Sequence, residues 1–183
     1  VNGMYHLTEA SGREGNVMIL SEGSTDEVFS NLGFSDINDI ANQPSVVRDE
    51  AGQPLCSKET YLIVVQPRRN PDPDGPKRRF IQLRGVEDPV ISGIVHGMDL
   101  HDRGAWFSSV GVEQRDIDGK GKKDDLIQAV IGEGLAAELG RDRTTEEIAA
   151  AKNEDRLDVG DTFELRDRRW LVTGVMRSAG TTF

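Results

Sequence analysis

The segment "AVIGEGLAAELG" (129–140) constrains the fold most, because a strand-like apolar run meets a helix-like run at two closely spaced glycines. Gly132, Gly134 and Ala137 have the G-x-G-x-x-A spacing that places a pyrophosphate at a helix N-terminus in dinucleotide-binding units. Such a unit also needs a longer crossover helix and a parallel partner strand. This helix is predicted to stop at Gly140, in the C′ position. We therefore interpret the glycines as a turn between a strand and a short packed helix, and a small nucleotide-dependent enzyme is the alternative.

Strand-like segments outnumber helix-like ones and do not alternate with them regularly. The strands are predicted at 16–21, 59–66, 78–86 and 126–132, and on both sides of a charged turn near Asp167–Arg168. Short helices are predicted at 35–43, with Ser35 as N-cap, at 133–140, and after a capping box from Thr144 to Glu147. The core candidates of the last two strands are Phe163, Leu165, Trp170 and Val172. Between Pro89 and Val112 only short apolar pieces broken by glycines are found. Hairpins mixed with short helices predict an α+β fold.

Composition excludes several classes of protein. The net charge of −10 argues against a nucleic-acid partner and against adhesion to anionic lipid. Cys56 is the only cysteine, so an internal disulfide and a multi-cysteine zinc site are impossible. No apolar run approaches the roughly 20 residues of a membrane span. The chain begins without Met and stops on a strand-like segment, so we expect a piece of a longer protein, with any membrane helices outside residues 1–183.

The segment "DIDGKGKKDD" (116–125) resembles a calcium-binding loop. Carboxylates and a glycine stand at EF-hand-like positions, namely Asp116, Asp118, Gly121 and Asp124. Lys120 and Ile127, however, occupy positions where oxygen ligands are required. We interpret the segment as a solvated hairpin loop, and an extracellular calcium- or sugar-binding module is the alternative.

The histidines offer one further metal hypothesis. The chain has three, His6, His96 and His101. The last two lie in "HGMDLHD" beside Asp99 and Asp102, where two histidines and a carboxylate could bind a metal. Because no helix is predicted there to align them, we interpret them as surface or turn residues. The sequence also lacks the nucleophile-elbow, zinc-protease and phosphate-loop motifs. We therefore predict no catalytic, cofactor-binding or metal-ligating residue and no enzymatic activity.

Read in order, several segments resemble one family. Residues 16–65 are followed by "RRFIQLRGVEDPV", by "AVIGEGLAAELG" and by "LDVGDTFELRDRRWLVTGVM". The combination "VIGEGLA..LG" with "L.VGDTFEL..R.W.VTGV" resembles the C-terminal signature of the extracytoplasmic domain of MacB/FtsX-type ABC transporter permeases. The similarity covers most of residues 15–177. The chain departs from the family pattern at "DRGAWF" (102–107) and in the charged insert 141–156.

The resemblance implies a single extracytoplasmic domain over residues 1–183, with a mixed sheet and short helices similar to efflux-pump porter subdomains, and a smaller inserted α/β lobe. It implies a membrane-embedded, dimeric full-length permease that works with a cytoplasmic ABC ATPase. The domain would handle a substrate, or regulate an extracytoplasmic adaptor or substrate protein, outside the membrane. No catalytic residue carries over from the family. Gly160–Asp161 would form a turn, and Trp170 and Val172 would belong to the core.

The C-terminal part of the chain suggests a mechanical role. The residues after Asp158 are expected to form a hairpin that packs Trp170 into the core, with a solvated tip at 166–169. The chain beyond Phe183 is expected to lead to a membrane helix. The hairpin would then be the stiff link through which movement of that helix reaches the domain.

Overall fold

The computed structural model describes residues 15–116 and 119–177. A 3-10 turn at Glu27–Phe29 is followed by four helices, α1 (Phe34–Ala41), α2 (Pro89–His96), α3 (Glu133–Gly140) and α4 (Thr145–Ala149). The strands are β1 (Glu59–Pro67), β2 (Arg78–Val86), β3 (Val112–Arg115), β4 (Asp124–Gly132), β5 (Thr162–Leu165) and β6 (Arg168–Met176). They form a two-stranded sheet, β1-β2, and a four-stranded sheet in the order β3-β4-β6-β5. The predicted α+β class is confirmed.

The chain divides into two compact units. Among the described residues, unit 1 contains 15–63 and 82–98, and unit 2 contains 64–81 and 99–177 apart from 117–118. Unit 2 holds most of the buried apolar side chains. In unit 1, the buried apolar side chains among the described residues include Ala41 and Ile91.

The sheet of unit 2 is mixed. β4 pairs with β3 in antiparallel and with β6 in parallel orientation, and β5 pairs with β6 in antiparallel orientation. Both central strands are rich in apolar residues, because their faces are covered. One buried cluster joins them to α3 and to the segment before β5; it contains Ala129, Ile131, Ala136, Leu139, Leu157, Val172 and Val175.

The predicted hairpin near residues 166–169 is present. Phe163 pairs with Trp170, and Leu165 with Arg168. The two residues of the turn, Arg166 and Asp167, both have positive φ, 53° and 57°. A two-residue turn of this kind matches the right-handed twist of the flanking strands, and it usually contains Asn or Gly.

Helix α2 was missed by sequence reasoning. Its central Gly93 and its β-branched residues made the segment read as broken apolar pieces. The signals at its ends were nevertheless present. The Asp88 carboxylate accepts hydrogen bonds from the backbone N–H groups of Val90 and Ile91, and Pro89 follows it at the start of the helix. Gly97 ends the helix in the left-handed conformation, with φ of 63°.

Two predictions for the region between residues 16 and 43 are wrong. Residues 16–21 form no strand, because no described strand pairs with them, and Val17 is 81% exposed. The N-cap of helix α1 is Gly33, with no side-chain capping hydrogen bond, and not Ser35. Its inner face is formed by Ala41, which is buried, and by Ile37 and Ile40, which are half-buried.

Candidate functional site

The β5–β6 hairpin contains the four predicted core residues of the last two strands, and the permease resemblance singled out two of them, Trp170 and Val172. Leu165 and Val172 are buried, at 3% and 0% exposure, as predicted for core residues. Phe163 and Trp170 are half-buried and pack against the same core. Their rings stack with centroids 6.1 Å apart and an interplanar angle of 16°. The Trp170 indole N–H also donates to the Leu165 carbonyl oxygen at 3.2 Å, so the ring is held at its edge and at its face.

The predicted turn at Gly160–Asp161 is confirmed and joins the hairpin from one side. The Asp161 N–H donates to the Asp158 carbonyl oxygen at 3.0 Å, and Gly160 has φ of 96°. The Gly160 N–H donates to Val172 O, and the Val172 N–H donates to Asp161 O. Only glycine adopts this φ without strain, which explains its place in the "VGD" sequence.

The prediction of a solvated tip at residues 166–169 is only partly correct. Arg166, Asp167 and Arg168 are exposed. Arg169 instead reaches back to β4, where its guanidinium lies 3.0 Å from an Asp124 carboxylate oxygen. The charged tip therefore comprises residues 166–168, and Arg169 anchors it to the neighbouring strand.

The G-x-G-x-x-A segment at the junction of β4 and α3 has one feature of a dinucleotide-binding unit. A parallel partner strand is present, because β6 pairs with β4 through Gly132. The start of α3 nevertheless carries its own anion. A Glu133 carboxylate oxygen lies 2.8 Å from the Arg156 guanidinium and 3.3 Å from His101 Nε2. A carboxylate at this position already complements the positive end of the helix dipole, where a pyrophosphate would bind.

The two glycines of α3 itself have different surroundings. A Cβ atom at Gly134 would meet nothing within 4 Å, whereas one at Gly140 would lie 2.9 Å from the Arg156 Cα atom and 3.2 Å from the Asp155 carbonyl oxygen. Gly140 is the last residue of α3 and does not have the predicted C′ position. It is required by close packing of the backbone, and Gly134 is not required by the fold.

We expect substitutions of these glycines to have opposite effects on stability. Gly134→Ala should raise the free energy of unfolding by about 0.5–1 kcal/mol, because alanine lowers the entropy of the unfolded chain. Gly140→Ala should lower it by about 1–3 kcal/mol, because neighbouring backbone must move. Urea unfolding of the two variants beside the parent measures both. A destabilised Gly134→Ala protein would show that this glycine is needed structurally.

The acidic loop between β3 and β4 is occupied by internal hydrogen bonds. β3 and β4 are antiparallel neighbours, so the hairpin interpretation is confirmed. The Asp116 carboxylate accepts the backbone N–H groups of Lys120, at 3.2 Å, and Gly121, at 2.7 Å. Asp124 is paired with Arg169. Asp118 lies outside the described residues. Over residues 15–116 and 119–177, no group of three or more His, Cys, Asp or Glu side chains could hold a metal ion.

The two histidines of the metal hypothesis have separate acidic partners. His96 Nε2 donates to a Glu59 carboxylate oxygen at 2.5 Å, and His101 Nε2 lies 3.3 Å from a Glu133 carboxylate oxygen. His6 lies outside the described residues. His96 ends α2, the helix that the sequence did not predict, and His101 follows it after a turn. The structure therefore assigns these histidines to two different polar clusters.

Glu59 forms the centre of a polar cluster in unit 1 that sequence reasoning missed. One carboxylate oxygen accepts from Ser57 Oγ at 2.5 Å, from Ser92 Oγ at 3.2 Å and from His96. The other accepts from the Arg84 guanidinium at 2.8 Å, which also pairs with Glu27. Ser92 is 2% exposed, so it is not accessible as a nucleophile. The cluster connects β1, β2, α2 and the 3-10 turn.

These contacts keep Glu59 ionised. Burial by itself would raise the pKa of the carboxyl group, but the hydrogen bonds from His96, Ser57 and Arg84 outweigh burial and lower the pKa from 4.5 to about 2. The Arg84 guanidinium is also partly desolvated, but the carboxylates of Glu59 and Glu27 raise its pKa above the usual value. Glu59 and Arg84 therefore form an ion pair within the cluster, and this pair stabilises the structure.

The lowered pKa of Glu59 predicts a specific loss of stability in acid. Its contribution should be complete above pH 4.5 and lost as the pH falls towards about 2, because protonation removes the charge that the cluster holds. At about 1.36 kcal/mol per pKa unit, the fall from 4.5 to about 2 corresponds to about 3.4 kcal/mol. Solvent screening of this partly exposed carboxylate reduces the effect, so the difference in unfolding free energy between the parent and Glu59→Gln should shrink by about 2–3 kcal/mol over this range. Urea unfolding across the pH range tests this, with exposed Glu22→Gln as control. A constant difference would contradict the prediction.

A second missed cluster lies in unit 2, around Arg79. This side chain of β2 is only 3% exposed although it is charged. Its guanidinium pairs with the Asp142 carboxylate. It also donates to Gln66 Oε1 at 2.9 Å and to the Glu138 carbonyl oxygen at 3.3 Å, at the C-terminal end of α3. Arg68 pairs with the Glu138 carboxylate at 3.2 Å. These contacts join the adjacent ends of β1 and β2 to α3. The guanidinium groups also lie at the C-terminal end of the helix, where the helix dipole favours a cation.

Comparisons of the chain with protein-family models, with curated proteins and with solved structures found no match. None of the helices in the described part of the chain combines the length and the apolar character that a membrane crossing requires.

Proposed function

We propose that the chain is the extracytoplasmic domain of a MacB/FtsX-type ABC transporter permease. In this proposal its role is mechanical and not enzymatic. Movement produced by a cytoplasmic ABC ATPase reaches the domain through the membrane helices of a dimeric permease. The domain then handles a substrate or regulates a partner outside the membrane, in efflux or in lipoprotein or peptide export.

The observation that supports the proposal most is how the signature segments pack. "VIGEGLA..LG" supplies the end of β4 and α3, and "L.VGDTFEL..R.W.VTGV" supplies β5 and β6. The two segments meet in the parallel β4–β6 pair and in one buried cluster. The Leu157 N–H also donates to the Ala136 carbonyl oxygen at 3.0 Å. The shared residues therefore have structural roles, as expected for a domain that transmits force.

Strand β6 is suited to carry a load because it is hydrogen-bonded on both sides. β4 lies along one side and β5 along the first half of the other. Along the second half, the backbone of residues 99–105 takes the place of β5: Ala105 N–H donates to Thr173 O, His101 N–H to Val175 O, and Arg177 N–H to Asp99 O. A pull on the end of β6 is thus shared by the whole sheet.

A flexible insertion tests this path. Two glycines inserted directly after Arg177 lie outside β6, so they leave the hydrogen bonds between its described neighbours in place but soften the connection to whatever follows. In the full-length permease with its ATPase, we expect ATP hydrolysis to continue while the ATP-driven transport or partner activation falls severalfold. The matched control is the same insertion between Gly121 and Lys122, in the β3–β4 loop.

Two results would contradict the proposal. Undiminished ATP-driven function with the insertion after Arg177 would exclude β6 as the mechanical link. A full-length gene product without apolar runs of about 20 residues on both sides of the domain would exclude the permease class itself. The second observation is independent of the first, because it needs no functional assay.

A further inference from the structure

Three large apolar side chains just before and at the start of α1 are exposed in the described part of unit 1. Phe29 is 75% exposed, Phe34 is 77% exposed and Val28 is 41% exposed. Single exposed apolar residues are common, but neighbouring large ones usually mark an interaction site. Four residues separate the two phenylalanines, so their Cα atoms are at most about 18 Å apart. We call Val28, Phe29 and Phe34, with the acidic residues near them in sequence, the Phe29–Phe34 surface.

The segment that presents Phe29 is held by many hydrogen bonds. The Ser21 N–H donates to Ser30 Oγ at 2.9 Å, and the Asn31 N–H donates to Ser21 Oγ at 3.0 Å. Ser24 Oγ donates to the Phe29 carbonyl oxygen at 3.1 Å. The Asp26 carboxylate caps the 3-10 turn. Preorganised apolar side chains bind a partner at a lower entropic cost than mobile ones do.

Phe34 extends the inner face of α1 beyond the part that the fold covers. Phe34, Ile37 and Ala41 lie on one stripe, because they are three and seven residues apart in a helix. Exposure along this stripe rises from 5% at Ala41 to 77% at Phe34, with Ile37 between them half-buried. The apolar stripe therefore continues by one helical turn without being covered in the described part of the chain.

Charge determines which partner this surface fits. The described residues of unit 1 contain ten Asp and Glu side chains and three Lys and Arg. Two of the three basic side chains, Lys58 and Arg84, are already paired with acidic residues of the same unit. Glu22, Asp36 and Asp39, which accompany the phenylalanines in sequence, are exposed. An apolar patch in an acidic field attracts a basic partner.

We propose that the Phe29–Phe34 surface is a docking site for a basic amphipathic segment of another protein. Apolar side chains of that segment contact Val28, Phe29 and Phe34, and its Lys and Arg side chains lie in the negative field to which Glu22, Asp36 and Asp39 contribute. A second copy of this chain is a poor occupant, because its net charge is also −10. An anionic membrane is repelled for the same reason. The proposal does not depend on the permease assignment.

The test uses residues 1–183 and a labelled helical peptide built from Leu and Lys, with one apolar and one basic face. We expect saturable binding, measured by fluorescence anisotropy, that Phe29→Ala with Phe34→Ala weakens at least about tenfold. Phe80→Ala in unit 2 is the matched control, because Phe80 is also 75% exposed. A peptide with Glu in place of Lys should not bind.

A second variant tests the charge separately. Asp36→Asn with Asp39→Asn leaves both phenylalanines in place and should weaken binding severalfold, with a smaller dependence on salt. Unchanged binding in this variant would overturn the proposal. An equal loss in Phe80→Ala, or equal binding of the Glu peptide, would also overturn it.

The other occupants are outcomes of two further measurements. Self-association in the ultracentrifuge that disappears in the double phenylalanine variant would identify a second copy as the occupant. Binding to phosphatidylglycerol vesicles that disappears in the same variant would identify a membrane. Either result would replace the basic segment and overturn the proposal.

Discussion

Replacing Arg79 by Met should lower the free energy of unfolding by about 3–5 kcal/mol, because it leaves a largely buried carboxylate without its cation. Asp142 is 18% exposed and would keep one backbone donor, the Arg69 N–H at 3.2 Å. The Glu138 carbonyl oxygen and Gln66 Oε1 would lose their donor as well. Urea unfolding followed by circular dichroism gives the difference.

An exposed ion pair provides the control for Arg79. Arg169→Met removes a guanidinium that is 40% exposed from a carboxylate that is 34% exposed. Pairs of this kind contribute about 1 kcal/mol or less. Similar losses for the two variants would show that burial does not set the importance of Arg79.

Replacing Trp170 by Ala should cost about 3 kcal/mol, the lower end of the range for large aromatic residues, because the ring is half-buried and not fully enclosed. The variant loses the stacking on Phe163 and the hydrogen bond to the Leu165 carbonyl oxygen. The domain should therefore melt at a clearly lower temperature, and a full-length permease should lose function through unfolding. Thermal melting of residues 1–183 measures the first effect.

Two variants separate the contributions of this hairpin. Trp170→Phe keeps an aromatic ring beside Phe163 and removes the N–H donor, so it should cost about 1 kcal/mol. Arg168→Glu changes only the exposed tip and should leave the melting temperature nearly unchanged. A Trp170→Ala domain that melts like the parent would show that the hairpin is not anchored by this ring, and the proposed mechanical link would be wrong.

Local sequence patterns predicted those elements whose signals are local. The Pro, Asp and Gly residues between Pro67 and Arg78 limited β1 and β2 to nearly their observed bounds. The capping box from Thr144 to Glu147 is present, because both of its hydrogen bonds form within one turn. The β5–β6 hairpin was also predicted, since its alternating apolar residues lie on either side of a short polar segment.

Features that depend on distant partners were not predicted. Residues 16–21 have the apolar composition of a buried strand, but a strand forms only where another strand offers hydrogen bonds. The parallel pairing of β4 with β6 was likewise not predicted, because the two strands are far apart in the sequence. Helix α2 is a different case, since its Asp88–Pro89 start was readable and was outweighed by Gly93.

The polar clusters were the least predictable part. Arg79 and Glu59 stand in strands among apolar residues, where a charged residue normally points to solvent. Nothing in the sequence near Arg79 identifies Asp142 as its partner, and nothing near Glu59 identifies Ser92 or His96. Each cluster combines residues from three or more segments, so their burial follows from the tertiary fold and not from local pattern.

The position of β6 in its sheet has a consequence for how the protein is made. β6 is the last strand in the described part of the chain, yet it lies between β4 and β5 and completes their hydrogen bonding. Thr173 donates to the carbonyl oxygen of Ala129, 44 residues earlier. During synthesis from the N-terminus, β3, β4 and α3 are therefore made before the strand that covers their apolar side chains. These side chains stay exposed until β6 has been synthesised. The late β5–β6 hairpin, which is closed by local contacts, covers these side chains when β6 pairs with β4.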